Sequence, residues 1–401
     1  MSIKQPDYSI PMSSPDITDA EREAVAKVMR TTSLSMGKEI QDFEQAFAEY
    51  TGTRNIIGVN SGTAGLHLCV RGLGIGDSDT EQRDLVITTP FSFVASANVL
   101  LFERAVPVFV DVDSQTGNID VEQVQDAAQA LMQGGPQAQK WLPRRGVDRN
   151  FRLKAILPVD VFGQPADMQA INSVANKWGL NVIEDSCEAL GAEYQGKLAG
   201  TLGDCGVFAF YPNKQITTGE GAVVITDDDQ LAEIIRTLRN QGRAPGDTWL
   251  QHTHLGYNYR LDELSAAVGK VQLARIEELL AKRQQVSDWY TERLVQLEGV
   301  EVPQVVRTTT RMSWFVYVIR FHASHSRDEI AAKLDEYNIP ARPYFLPIHL
   351  QPYMVERFSY HPGDFPITED LGQRSLALPF SSIMVEEQVE HVCNTLRSVL
   401  N

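Results

Sequence analysis

The sequence predicts an α/β fold, in which a large domain holds a seven-stranded, mostly parallel sheet between helices and a small α+β domain follows at the C-terminus. The first observation is a series of short, uniformly apolar runs that alternate with helical segments between residues 56 and 225. Such runs are too short for helices and too apolar for a sheet with one face in water, so buried parallel strands with crossover helices account for them. The second observation is a change after residue 260, where a long helical stretch leads into a strand, a helix and a proline-rich loop.

The individual elements follow from local signals. A capping box at 18–21 and the apolar spacing after it predict a helix to about Arg30, and a second helix runs through Phe43, Phe47 and Tyr50. The predicted domains are residues 1–258 and residues 259–401, and the second of these begins with the linking helix. The predicted strands of the large sheet are 56–59, 85–88, 106–110, 155–159, 181–183, 206–210 and 222–225.

The composition excludes several classes of partner. The chain has 401 residues and is 43% hydrophobic, and 36 Lys and Arg against 52 Asp and Glu give it a formal net charge of −16. This charge repels phosphate backbones and anionic lipid, so we expect neither nucleic acid nor a membrane as a partner, and a small molecule is the better candidate. The N-terminal residues lack the apolar segment of a signal peptide, which predicts a cytoplasmic protein. The four cysteines lie far apart, so we expect reduced thiols and no metal site.

Segment 134–152 is rich in Gly, Pro, Gln and Arg and is predicted to form a surface loop before the strand at 155–159. It carries Lys140, Arg144, Arg145 and Arg149 in an otherwise acidic protein. The loop is either simply solvated or in contact with a nucleotide diphosphate, and the sequence leaves both interpretations open.

Three segments carry candidate chemistry, and the first is the Asn-Ser-Gly-Thr-Ala-Gly run at 60–65, which follows a predicted strand and opens a helix. Free N–H groups at a helix start, beside small residues such as Gly62 and Ala64, form an anion site suited to a phosphate. The same residue types also serve as simple helix caps, so this segment alone decides nothing.

The other two segments place reactive groups directly after predicted strands. Asp185 ends an apolar strand, where a carboxylate can keep a bound ring nitrogen protonated or, equally, cap a following helix. Lys214 follows the strand at 206–210 and precedes a glycine-bearing turn. Apolar surroundings favour a neutral lysine amine, which Schiff-base chemistry with an aldehyde cofactor requires, although a lysine after a strand is usually a solvated charge.

The chain contains, in this order, the segments SGTAGLHL, TTPFSFVASANVL, VDVFGQPADM, VIEDSCEALGAEYQGKLAGTLGD, FAFYPNKQITTGEG and GYNYRLDELSAAVGKVQL. In order and spacing, these motifs resemble those of the DegT-type sugar aminotransferases, and the resemblance covers nearly the whole chain. It implies the aspartate aminotransferase fold, pyridoxal 5′-phosphate (PLP) or its aminated form pyridoxamine phosphate (PMP) as the cofactor, and nucleotide-linked keto sugars as substrates.

The resemblance also implies roles for single residues. Lys214 matches the lysine that binds the cofactor covalently, and Asp185 matches the acid that faces its ring nitrogen. Gly62 and Thr63 match the backbone cradle of the phosphate, and Phe93 matches the aromatic that covers one face of the ring.

Two further matches and two departures complete this comparison. Glu188 lies where relatives have a polar residue near the cofactor's hydroxyl, and Asn258 matches an asparagine that reaches the phosphate of the neighbouring subunit, which implies a homodimer with shared sites. Relatives commonly have Ser at the position of Ala209, where it bonds the phosphate, and a second Gly at the position of Ala222. One lost hydroxyl contact costs about 1 kcal/mol, so weaker cofactor binding is expected.

The expected reaction is amino transfer, by resemblance from L-glutamate, to a nucleotide-linked keto sugar. Lysine rather than histidine at position 214 favours transamination over deoxygenation. The segments EALGA and RPYFLPIHLQP are most similar to enzymes that aminate C4 of 4-keto-6-deoxyhexoses, such as perosamine synthases of lipopolysaccharide O-antigen pathways. Arg342 and His349 either contact this substrate or belong to an exposed structural turn. Amination at C3, dehydration and a non-catalytic PLP-binding regulatory protein stay open as alternatives.

Overall fold

A computed structural model describes residues 9–76, 82–147 and 150–400 of the protein. The α-helices are α1 (Asp19–Met29), α2 (Lys38–Thr51), α3 (Gly62–Gly72), α4 (Ala95–Phe102), α5 (Val121–Gln133), α6 (Met168–Trp178), α7 (Asp229–Arg239), α8 (Glu263–Ala274), α9 (Ile276–Leu294), α10 (Arg327–Glu336), α11 (Pro352–Phe358), α12 (Pro366–Arg374) and α13 (Glu386–Leu400). The strands are β1 (Asn55–Val59), β2 (Arg83–Thr88), β3 (Val106–Phe109), β4 (Phe151–Leu157), β5 (Asn181–Asp185), β6 (Glu193–Tyr194), β7 (Lys197–Leu198), β8 (Cys205–Ala209), β9 (Ala222–Thr226), β10 (Val300–Glu301), β11 (Thr309–Arg311), β12 (Tyr317–Phe321), β13 (Arg342–Pro343) and β14 (Ser375–Leu378).

The central sheet contains the seven strands that the sequence predicts, in the order β1-β9-β8-β5-β4-β2-β3. Strands β8, β5, β4, β2 and β3 pair in parallel, whereas β9 runs antiparallel to both β1 and β8. Strand β4 differs most from its prediction, because it begins at Phe151, inside the segment that was expected to form a loop. The predicted α/β class and mostly parallel sheet are confirmed.

Helices cover both faces of this sheet. On one face, Ile57 and Val224 pack with residues of α3 and α7. On the other face, Ile56 and Ile225 pack with residues of α2, α8 and α9. Because successive side chains of a strand point to opposite faces, a strand that is buried on both sides needs a continuous apolar run.

A second, four-stranded antiparallel sheet in the order β10-β12-β14-β13 forms the centre of the C-terminal part. Helix α9 connects the two cores, since Leu279 packs in the first core and Tyr290 and Leu294 pack in the second. Ile10 also packs in the second core, so the first described residues lie against the C-terminal part. The division at residues 258 and 259 stays a prediction, and α9 is the element that matches the expected linking helix.

Three smaller features of the structure bear on the sequence analysis. The capping box at the start of α1 is present, with the Thr18 N–H donating to Glu21 Oε2 at 2.7 Å. All four cysteines are free thiols, and only Cys187 among them is partly exposed. Within the described ranges, none of the helices combines the length and the apolar character that crossing a bilayer requires.

The basic segment before β4 is held in place by its own contacts. Arg144 donates two hydrogen bonds to Asp364, at 2.5 and 2.6 Å, and the main-chain N–H of Arg145 donates to Phe358. Lys140 is exposed at the edge of a cavity of about 460 Å³, and Arg149 lies outside the described residues. The contacts of Arg144 favour a structural role for that residue, and a nucleotide contact of the loop stays a prediction.

Candidate active site

A cavity of about 450 Å³ opens at the carboxyl ends of β5 and β8, beside the first turn of α3. This is the edge of a parallel sheet where ligands of open α/β proteins bind, and the volume is typical of small-molecule sites. Asn258, Arg342 and His349 are not among its lining residues. The predicted site residues that do meet in its walls are Gly62, Thr63, Phe93, Asp185, Glu188 and Lys214.

The first turn of α3 supplies main-chain donors to the cavity. Ser61 caps the helix, because its Oγ accepts the N–H of Ala64 at 3.1 Å. The N–H groups of Gly62 and Thr63 have no earlier carbonyl within the helix to bind, as is general for a first turn. A Cβ on Gly62 would lie 2.9 Å from Ala209 Cβ, so glycine is required for this close approach. Ser61 therefore acts as a helix cap, and this is compatible with the phosphate site, which stays a prediction.

Asp185 lies at the last position of β5 and is buried. Its Oδ2 accepts the Ser96 hydroxyl at 2.6 Å, and its Oδ1 accepts the main-chain N–H of Cys187 at 3.3 Å. Turns rather than a helix follow Asp185, so the helix-cap interpretation is wrong. An ionised carboxylate has more acceptor positions than these two bonds use, so Asp185 can accept a further N–H from a ligand in the cavity.

Lys214 projects from the turn after β8, and its side chain is 12% exposed. Its Nζ lies 3.8 Å from the centre of the Phe315 ring and 3.6 Å from Glu188 Oε1. The expected apolar wall is therefore present as Phe315, but a carboxyl faces the amine on another side. The amine is shielded from bulk water and has both an aromatic and an acidic neighbour, so it is not a solvated surface charge.

Two buried acidic groups, Glu188 and Asp160, lie close to Asp185. Glu188 Oε2 accepts the main-chain N–H of Phe162 at 3.0 Å, and burial raises the pKa of Glu188 even though Lys214 opposes this shift. Asp160 is buried and accepts the Ser186 hydroxyl at 2.5 Å. Burial raises the pKa of Asp160 to about 7, with a contribution from the charges of Asp185 and Glu188. Asp160 does not line the cavity, and the sequence analysis did not single it out.

Two aromatic side chains are exposed at the mouth of the cavity. Phe93 lies at its edge with 63% of its surface exposed, and Tyr211 is 53% exposed. Both rings lie beside the cavity, where a bound ligand can cover them. The position of Phe93 in the cavity wall agrees with the expectation that it faces a bound ring.

Asn258 is exposed and lies outside the cavity of its own chain, between two anchored tyrosines. The Tyr257 hydroxyl donates to Glu103 Oε1 at 2.8 Å, and the same carboxylate oxygen lies 2.7 Å from His67 Nε2. The other ring nitrogen of His67 lies 3.1 Å from the Tyr259 hydroxyl. Because His67 belongs to α3, this helix fixes the loop that presents Asn258 to the surface.

Neither Arg342 nor His349 lines the cavity. Arg342 is exposed on β13 and donates to the carbonyl of Ala341 at 3.0 Å. His349 is completely buried, with its Nε2 3.0 Å from Glu369 Oε1. Burial lowers the pKa of His349, against the opposing effect of Glu369. The buried contact with Glu369 holds the loop of His349 against α12. A contact between His349 and a substrate stays a prediction.

The same loop instead contributes Tyr344 and Phe345 to the cavity, and neither was singled out from the sequence. Ser96 and Phe315 were missed as well. Ser96 lies inside the motif TTPFSFVASANVL, so its motif was noticed although its bond to Asp185 was not. Phe315 lies in the strand that the sequence predicts at 314–321. The periodicity of a strand does not show which of its side chains contacts a lysine that is distant in the sequence.

The comparisons with known proteins agree with this geometry. The DegT/DnrJ/EryC1/StrS aminotransferase family model matches residues 15–397. The chain belongs to this family.

Three individual proteins are similar to the chain over nearly its whole length. GDP-perosamine synthase from Caulobacter vibrioides is 37% identical over 395 residues, which cover 98% of each chain. UDP-N-acetyl-3-dehydro-alpha-D-glucosamine 3-aminotransferase from Acidithiobacillus ferrooxidans is 31% identical, covering 94% of this chain and 93% of the relative. The crystal structure of DesV from S. venezuelae is 30% identical with a TM-score of 0.84, covering 97% of this chain and 98% of DesV.

The protein is accordingly a PLP-dependent sugar aminotransferase, and the predicted family, enzyme class and cofactor are confirmed. The residues of the cavity fit PLP, since a phosphate needs the donors of the α3 N-terminus, a ring nitrogen needs the carboxylate of Asp185 and an aldehyde needs the amine of Lys214.

Replacement of Asp160 by Asn should reduce the fall in the free energy of unfolding that the parent shows as pH rises from about 4 to about 7. The Asp160 carboxyl holds its proton up to about pH 7 in the fold but ionises near 3.8 in the unfolded chain. The unfolded state therefore binds fewer protons than the folded state between these values, and the free energy of unfolding of the parent falls as pH rises through this window. Urea unfolding of the cofactor-free proteins should show a smaller fall in Asp160→Asn. The exposed Asp126→Asn control should retain the parent's fall, and equal slopes for the parent and Asp160→Asn would contradict the expectation.

Replacement of Ala209 by Ser should strengthen cofactor binding. Ala209 lies against Gly62 in the cavity wall, where the added hydroxyl can donate to a phosphate. A gain of about 1 kcal/mol corresponds to a Kd lowered about fivefold, which a fluorescence titration of the cofactor-free protein with PLP measures. The same change at Ala46 on α2, away from the cavity, should leave the Kd unchanged. An unchanged Kd in Ala209→Ser would show that this position does not reach the phosphate.

Proposed function

We propose that this sugar aminotransferase transfers an amino group from L-glutamate to C4 of a nucleotide-linked 4-keto-6-deoxyhexose. The observation that carries the proposal is that Lys214 and Asp185 share one cavity, at the ends of neighbouring parallel strands. The choice of C4 is supported by the extensive similarity to GDP-perosamine synthase and by the EALGA and RPYFLPIHLQP segments.

The cavity residues divide the chemistry between them. PLP, when bound, supplies an aldehyde carbon that exchanges amino groups and a ring that withdraws electrons from the reacting carbon. Asp185 accepts the ring N–H and keeps that nitrogen protonated, with Ser96 holding the carboxylate in place. The N–H groups of Gly62 and Thr63 bind the phosphate, and Phe93 covers one face of the ring.

Lys214 acts first as the covalent anchor of the cofactor and then as the general base. Once the amino donor has displaced its amine, Nζ takes the proton from the α-carbon of the donor. Glu188 Oε1, at 3.6 Å from Nζ, and the ring of Phe315, at 3.8 Å, together orient the amine. The low exposure of the Lys214 side chain keeps water from competing for the proton.

We also infer a homodimer, in which the loop before Asn258 covers the neighbouring subunit. This loop exposes Trp249 and Leu255, at 81% and 78%, together with Leu250. Clustered exposed apolar side chains favour burial against a partner, and Asn258 projects from the same stretch of chain. In that arrangement, Asn258 would bind the phosphate of the neighbouring site. The L-glutamate donor, the cytoplasmic location, the O-antigen pathway and the substrate contact of Arg342 are proposed from the sequence alone.

Amination at C3 is the second candidate function. It is favoured by the 31% identity to a 3-aminotransferase that acts on a UDP-linked sugar, over more than nine-tenths of both chains. The two functions share the cavity chemistry and differ only in which sugar carbon lies beside the Lys214 amine. A product analysis separates them.

Replacement of Lys214 by Ala should abolish covalent attachment of the cofactor. Borohydride reduction of the PLP-loaded parent, followed by peptide mapping, should find the label on the peptide that contains Lys214. In Lys214→Ala the label should be absent and turnover should fall by about a hundredfold or more, since the general base is lost. The exposed Lys197→Ala control should behave like the parent. A parent that binds PLP but carries no label at Lys214 would show that Lys214 is not the covalent anchor.

The position of amination is tested with matched keto sugars. We expect the protein, with L-glutamate, to convert 4-keto-6-deoxyhexoses linked to GDP, UDP or dTDP, and to leave the corresponding 3-keto sugars unchanged. Nuclear magnetic resonance of the product should show nitrogen bound to C4. A product with nitrogen at C3, at comparable or higher kcat/KM, would replace the first candidate by the second.

A further inference from the structure

Arg283 of α9 is a fully buried cation, with 1% of its surface exposed. Its guanidinium donates to four main-chain carbonyls: Nη1 to Trp314 and Phe315, at 3.2 Å each, and Nη2 to Asn213 and Lys214, at 3.1 and 2.5 Å. Burial lowers the pKa of Arg283 to about 10, and no carboxylate in the described part of the chain counteracts that shift. The group is therefore still cationic at neutral pH, and main-chain oxygens serve as its partners.

The two segments that Arg283 joins both enter the active-site cavity. Asn213, Lys214 and Phe315 line its wall, and the amine of Lys214 rests 3.8 Å from the ring centre of Phe315. The next residue, Gln215, also bonds to the second segment: its Nε2 donates to the carbonyl and the hydroxyl of Ser313, at 3.1 and 2.9 Å. Residues 213–215 are thus fastened to residues 313–315, and the cation of Arg283 lies between them.

Stability alone does not explain a buried arginine at this position. Taking an unpaired cation out of water is costly, and a well-packed apolar side chain often replaces buried charge without loss of stability. What the guanidinium adds is geometry, because its donors lie in one rigid plane and form charge-assisted bonds. Lysine has three donors on a flexible stem, so it cannot hold four carbonyls from two segments in one arrangement.

We propose that Arg283 is a positioning residue, which fixes the main chain on both sides of the Lys214 amine and so places that amine for proton transfer. The proposal rests on the proposed role of Lys214 as the general base. It adds a group that does not touch the cofactor or the sugar and that belongs to the helix connecting the two cores.

The test compares Arg283→Met and Arg283→Lys with Arg327→Met. Arg327 is a matched control, since it is also buried and donates to two main-chain carbonyls, of Gly372 and Ser375, but lies outside the cavity. The kcat per bound cofactor should fall about 10- to 100-fold in both Arg283 variants, as small misplacement of a reacting group costs rate, whereas KM for L-glutamate should change less than about twofold. Arg327→Met should retain the parent's kcat.

A second measurement uses the proteins without cofactor. Hydrogen exchange of peptides that span residues 210–218 should be faster in the Arg283 variants than in the parent and unchanged in Arg327→Met. If Arg283→Met does not fold, Arg283→Lys, which keeps the charge and most of the volume, carries the test. Parent-like kcat in a folded Arg283 variant, or an equal loss in Arg327→Met, overturns the proposal. A parent without borohydride label on Lys214 refutes the proposed function instead, and the exchange result then still decides whether Arg283 holds this segment.

Discussion

The pairing of β5 with β8 is the constraint on which the site depends. These strands are parallel neighbours, with Asp185 opposite Val207, so the carboxyl end of one brings Asp185 and the turn after the other brings Lys214 to the same edge of the sheet. Because side chains alternate along a strand, a slip of one residue would point Asp185 to the other side of the sheet. The spacing of the two reactive groups therefore follows from the register in which these two strands pair.

Much of this arrangement was predictable, and the reason is local. Uniformly apolar runs identified all seven strands of the central sheet, because burial on both faces leaves a signal within each run. Asp185 and Lys214 were candidates because each lies at or just after the end of such a run, but their roles came from the resemblance to the family. The capping box at Thr18 was equally visible, because it is complete within four residues.

The rest of the site depends on contacts between segments that are far apart in the chain. Ser96 bonds a carboxylate 89 positions away, and Arg283 bonds carbonyls about 70 positions before it. Nothing in the local pattern around either residue records its partner. For His349 the sequence left open a substrate contact or an exposed structural turn, and the structure contradicts the exposed turn because this side chain is buried against Glu369. Its carboxylate partner lies in α12, and only the assembled fold brings the two together.

Helix α3 links two places that would otherwise be independent. Its first turn faces the cavity, and its second turn carries His67, which together with Glu103 fastens the tyrosines on either side of Asn258. An eleven-residue helix is a stiff rod about 16 Å long. The turn that faces the cavity and the residue that fastens the Asn258 loop therefore lie on one rigid element, only about one helical turn apart.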